Sequence, residues 1–164
     1  MANVDVVLEL PRKGVYDLHL TVNHHRVAVQ GLDVQGVIEG YASPGVEVDA
    51  GLAGDLTLRV DGGNNFGLQG GTTARLRPLR SGSLDVEAAK GDVRITIVGA
   101  AAGLDVTAKG ANGRGSIDLG PSEASLEGPE GTYARSAGFG GTSVQIKIQA
   151  SSPGGVVAIR RAKQ

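Results

Sequence analysis

The amino-acid sequence predicts an all-β, single-domain β-solenoid of short, glycine-punctuated strands, with a β-sandwich as the alternative architecture. Three observations carry this expectation. Apolar and polar residues alternate with a period of two through many short runs, the signature of half-buried strands. Glycine, at 27 of 164 residues, falls mainly between those runs, where turns are needed. Aromatic residues make up only 3% and Trp is absent, so Val, Ile, Leu and Ala must fill the core, and such small side chains suit a narrow, repetitive interior.

The elements follow in chain order. Val4, Val6, Leu8 and Leu10 form a first apolar stripe that Pro11 ends, because proline has no N–H to give a ladder. Tyr16, Leu18, Leu20 and Val22 form the next, and Asn23-His24-His25 turns the chain into Arg26 to Gln30, with Asn23 suited to the left-handed position. From Gly31 to Gly54 short apolar pairs alternate with glycines, giving strand, corner and strand again. Asp55 to Val60 reads as a clear strand, the glycine-rich stretch from Gly62 to Gly71 as the longest loop, and Thr73 to Pro78 as a weaker strand.

The region from Ser83 to Gly120 is the most regular. Leu84, Val86 and Ala88 face one way and Asp85 and Glu87 the other; Val93, Ile95 and Ile97 alternate with Arg94 and Thr96; Leu104, Val106 and Ala108 alternate with Asp105, Thr107 and Lys109; Ile117 and Leu119 flank Asp118. These strands recur at roughly ten-residue intervals, as expected for short strands joined by tight turns. Pro121 to Gly141 carries mainly turn chemistry, and Ser143 to Ala150 and Val156 to Arg160 close the pattern as two strands. No window has helical periodicity with caps. The expected core is Leu18, Leu20, Val27, Val29, Leu56, Leu58, Val93, Ile95, Ile97, Leu104, Val106, Ile117, Leu119, Ile146 and Ile148. Residues 1–164 form one domain in this reading, with 1–30 and 121–164 as end-capping segments.

Composition narrows the function. Sixteen basic residues against 17 acidic ones give a formal net charge of -1, which supplies no basic field for nucleic acid. No apolar run approaches the ~20 residues of a membrane-spanning helix. The absence of Cys excludes a disulfide framework and thiolate metal sites. The N-terminal residues do not read as a signal peptide, since Asp5 and Glu9 interrupt them. The expected location is therefore the cytoplasm, or outside it with an export signal removed.

The series Gly91-Asp92-Val93, Gly103-Leu104-Asp105-Val106 and Gly115-Ser116-Ile117, together with the ending IKIQASSPGGVVAIRR, resembles the bacterial putative-adhesin β-solenoid domain family, a domain of unknown function. The opening LELPRKGVYDLHLTVNHHRVAVQGL is similar to that family's start, so the likeness spans nearly the whole chain. The stretch VQGVIEGYASPGVEVDAGLAGDL bears a weaker likeness to bactofilins, cytoskeletal β-helices that polymerise end to end. The resemblance implies a β-solenoid of structural or interaction character, with no catalytic residues to carry over.

Three groups of residues are candidates for a site. His19, His24 and His25 offer imidazoles, and Asp17 lies near His19, but adjacent strand side chains point to opposite faces, so a solvated strand end is the simpler reading. Asp61-Gly62-Gly63-Asn64-Asn65 has the composition of a calcium-binding turn without the second copy such sites need. Asp85, Glu87, Asp105 and Asp118 would serve a polysaccharide-cleaving enzyme if two of them met at glycosidase spacing. No nucleophile elbow, zinc-protease motif or phosphate loop is present. The expectation is thus a non-enzymatic, adhesin-like module with no catalytic, cofactor or metal site. Its partner would be a protein or glycan, and the chain a monomer or small homo-oligomer; a filament protein and a polysaccharide-active β-helix are the alternatives.

Overall fold

The computed structural model describes residues 8–61, 70–99, 101–129 and 131–162. Among them lie twelve strands and no α-helix: β1 (Val15–Asn23), β2 (Val27–Tyr41), β3 (Gly45–Asp61), β4 (Gly71–Pro78), β5 (Gly82–Ala88), β6 (Val93–Val98), β7 (Ala102–Lys109), β8 (Ser116–Asp118), β9 (Ser122–Gly128), β10 (Gly131–Ser136), β11 (Val144–Ser151) and β12 (Val157–Ala162). One 3-10 turn, Phe139–Gly141, precedes β11.

All twelve belong to one curled, open sheet that divides at β3. The first half of β3 pairs with β4 from Gly45↔Gly71 to Leu52↔Pro78, and its second half pairs with β5 from Leu56↔Leu84 to Val60↔Ala88. Two rows of strands result. The first runs through the front halves of β2 and β3, then β4, β6, β12 and β8. The second runs through β1, the back halves of β2 and β3, then β5, β11, β7, β10 and β9. Pairing is parallel throughout except at β7·β10 and β10·β9 among the described residues, unlike the antiparallel sheets of a typical sandwich.

The period-two stripes meet in one apolar cluster. Leu56, Leu58, Leu84, Ile95, Ile97, Leu104, Ile146 and Ile148 are all at most 1% exposed, and Val27, Val29, Val93, Val106 and Leu119 are buried with them. Leu18, Leu20 and Ile117 are half-buried, because β1 and β8 each pair on one side only among the described residues. Facing residues such as Asp85, Arg94 and Lys109 stay exposed, so the alternation reads correctly at strand after strand.

One corner explains much of the glycine content. A Cβ on Gly70 would strike the Ser43 carbonyl, one on Gly91 the Gly70 carbonyl, and one on Gly155 the Gly91 carbonyl; one on Gly110 would crowd the Arg114 and Gly155 carbonyls. Successive levels of the first row therefore stack backbone on backbone here, leaving no room for a side chain. Two buried serines tie neighbouring levels at the same corner: the Ser43 hydroxyl donates to the His25 carbonyl at 2.7 Å, and the Ser152 hydroxyl to the Gly91 carbonyl at 2.6 Å.

Several details depart from the sequence reading. Gly31 to Gly54 is not a series of short strands, because β2 and β3 run on for 15 and 17 residues and absorb their glycines at register shifts and bends. Residues 73–78, expected to be a weak strand, lie inside the first row as part of β4, with Pro78 tolerated as the last residue. His24, at φ 65, takes the left-handed position expected of Asn23. Pro121 to Gly141, read as turns, folds into the β9–β10 hairpin. Within 121–164, β9 and β10 occupy the end of the second row, whereas β11 inserts between β5 and β7 and β12 between β6 and β8. Asp61 closes β3, while Gly62, Gly63, Asn64 and Asn65 of the calcium-like turn lie outside the described residues, as do Val4 and Val6 of the first stripe.

Candidate functional site: the outer face of the second row

The outward positions of the second row line up across the strands. Thr57, Asp85, Gln149 and Thr107 are register partners in one line, and Arg59, Glu87, Ser151 and Lys109 in the next. Strands lie about 4.8 Å apart, so each line is an evenly spaced run of hydroxyl, carboxylate, amide and cationic groups. A shallow depression of about 450 Å³ lies across both lines. Towards β10 the face turns aromatic. Tyr133 is opposite Thr107 on one side and Leu126 on the other, and the Arg135 guanidinium lies 5.2 Å from the Phe139 ring centroid.

Arg135 also donates to Asp105 at 3.0 Å. That hydrogen bond, followed by the field of Tyr133, holds the guanidinium above its ordinary pKa. Arg161 moves the other way: on the inward side of β12, it donates to the Ala102 carbonyl at 2.7 Å, and burial lowers its pKa.

A second depression, about 380 Å³, opens at the start of the first-row strands between Arg26, Glu47, Asp92 and Arg94. Its charges are already matched, with Arg94 and Asp92 at 2.7 Å and Arg26 and Glu47 at 3.9 Å. Behind it the Thr72 hydroxyl is buried without a hydrogen-bond partner, on the inward side between Val46 and Val93.

The candidate carboxylates and histidines lie among neighbours of other kinds. Asp85 is flanked by Thr57 and Gln149, Glu87 by Arg59 and Ser151, Asp105 by Lys147 and Arg135, and Asp118 by Arg160. No two of these four carboxylates are register partners, and β11 separates Asp85 and Glu87 from β7. His19 is exposed beside Asp17 at 3.2 Å, and His24 and His25 are exposed at the β1–β2 turn. Among the described residues no three His, Asp or Glu side chains come together as a metal site would require. Sequence reasoning missed Gln149 and Tyr133 as companions of Asp85 and Thr107, and Ser151 as the companion of Glu87 and Lys109, because only the fold makes them neighbours.

No helix among the described residues is long and apolar enough to cross a membrane. No protein-family model matches the chain, and no curated protein matches it. Among solved structures, the chain is similar to the crystal structure of a putative cell adhesion protein from Clostridium sporogenes. The match covers 87% of this chain and 92% of that one, at a TM-score of 0.54 and 8% sequence identity. At that identity the likeness is one of fold.

Proposed function

We propose that this chain is a non-enzymatic, adhesin-like interaction module built as a β-solenoid, which engages a protein or glycan partner through the outer face of its second row. The solenoid reading is supported by the path of the chain. β2 and β3 each pass from the first row into the second, and β4 to β5 and β6 to β7 repeat the passage. The observation that carries the function is the pair of evenly spaced polar lines, Thr57 to Thr107 and Arg59 to Lys109, the first of which continues to the aromatic Tyr133. Hydrogen-bonding groups repeated at strand spacing fit an extended ligand, and Tyr and Arg are the residues that most often anchor interfaces. Across the strands each of the four carboxylates stands beside a basic or neutral partner, which supports a binding face over a paired-carboxylate active site, although Asp85 and Glu87 share the outer face of β5. The likeness to a putative cell adhesion protein agrees with this reading.

The test is binding of the purified chain to a printed glycan array and to a panel of extracellular-matrix proteins, repeated with Thr107→Arg and Gln149→Arg together. A ligand lost by the double variant, with no change in melting temperature, is the expected result. Release of shortened glycan products, or a ligand retained by the double variant, overturns the proposal.

A further inference from the structure

The end of the second row carries a further surface, which adjoins the polar face just described at Tyr133. β9 is the last strand of that row and pairs only with β10 among the described residues. Its other edge therefore presents the backbone N–H and C=O groups that point away from β10. The strand is exposed almost throughout, and Leu126, opposite Tyr133, is 69% exposed.

Natural edges are blunted by extreme shortness, by proline, by bulges, or by charged side chains, including ones that point inward. β8 follows that rule with three residues. β9 is longer, with Ser122–Gly128 making seven residues that contain neither Lys nor Pro, and Pro121 and Pro129 lie just outside it; its guards are the bulge near Ser136 and the acidic Glu123 and Glu127, of which Glu127 points inward. Beyond the register shift near Ser136, its ladder with β10 is regular from Ala124 to Gly128.

Charge selects the occupant. Residues 121–131 contain Glu123, Glu127 and Glu130 and no Lys or Arg. Arg114 lies 4.0 Å from Glu127, with both side chains more than 60% exposed, and Glu123 accepts from the Gly138 N–H at 3.2 Å with Arg135 in its field. A second copy would set this acidic strand against an identical one, and like charges facing across strands oppose pairing. We propose that β9 is an acceptor edge for an extended basic segment of a partner protein, which adds to the sheet as a further strand. Its backbone pairs with β9, an apolar side chain rests against Leu126 and Tyr133, and its Lys or Arg side chains meet Glu123 and Glu127.

The experiment uses the full chain, labelled with ¹⁵N, and the peptide Lys-Val-Lys-Val-Lys-Val-Lys, acetylated and amidated at its ends. Three controls accompany it: the same peptide with Glu for Lys, the Lys peptide N-methylated at alternate backbone amides on either register, and the variants Glu123→Lys/Glu127→Lys and Leu126→Lys. Shifts confined to 122–136, a preference of about tenfold for the Lys peptide over the Glu peptide, and loss of binding with N-methylation on one register are the expected results. The double variant should reverse the preference, and Leu126→Lys should weaken binding without lowering the melting temperature. Absent binding, shifts elsewhere, or equal binding by both N-methylated peptides overturns the proposal. So does self-association of the chain through β9, which would make a second copy the occupant.

Discussion

Single residues show where the fold is tight and where it is imperfect. Gly91→Ala places a methyl group against the backbone of Gly70 and Gly71, so it should lower stability by about 1–3 kcal/mol, as overpacking does. Ser152→Ala leaves the Gly91 carbonyl without its 2.6 Å donor inside the corner, an expected loss of about 1–3 kcal/mol in urea unfolding. Thr72→Val should act in the opposite sense. It keeps the shape of a side chain packed between Val46 and Val93 and removes a buried hydroxyl that has no partner, so a gain of up to about 1 kcal/mol is expected in the same assay. At this scale the sequence was informative about direction. Which face Leu84 or Asp85 takes follows from alternation alone, because neighbouring strand residues point opposite ways. What stands beside Asp85 does not follow, since Gln149 lies far along the chain and only register brings it there.

Among elements, the contrast between β11 and β9 is the sharpest. β11 pairs on both sides, with β5 and β7, and buries Ile146 and Ile148, whereas β9 pairs with β10 only among the described residues and exposes Leu126. Ile148→Ala should therefore cost about 2–5 kcal/mol, while Leu126→Ala should stay within about 0.5 kcal/mol, measured by denaturant unfolding. Amide exchange should follow the same order, slow in β5, β11 and β7 and fast in β9. Strands with clean alternation, such as β6 and β7, were legible from sequence, and β9 was hidden because Ser122–Gly128 is exposed on both faces and so shows no apolar stripe. The long β2 and β3 looked broken for a related reason. Gly31 and Gly36 interrupt the pattern at bends the ladder tolerates, since pairing resumes beyond each shift.

At the scale of the molecule, the ends of the rows govern association. On β9 the inward positions opposite Thr132 and Ala134 are Glu127 and Ser125, so the apolar stripe of β7 and β10 stops in polar residues and offers nothing to stack upon. A monomer or small closed oligomer is expected by light scattering over a concentration series; mass that grows without limit would favour the filament reading. The all-β class was legible in the sequence, and the order of strands was not, because periodicity records which face is buried and carries no information about neighbours. That order has a consequence for synthesis. The positions between β5 and β7 and between β6 and β8 are filled by residues 144–162, the last described part of the chain to leave a ribosome. Until they emerge, the nascent polypeptide holds two unfilled slots at its centre, so a product that terminates before residue 144 should be recognised by proteases as unfinished, however much of its remaining sequence is intact.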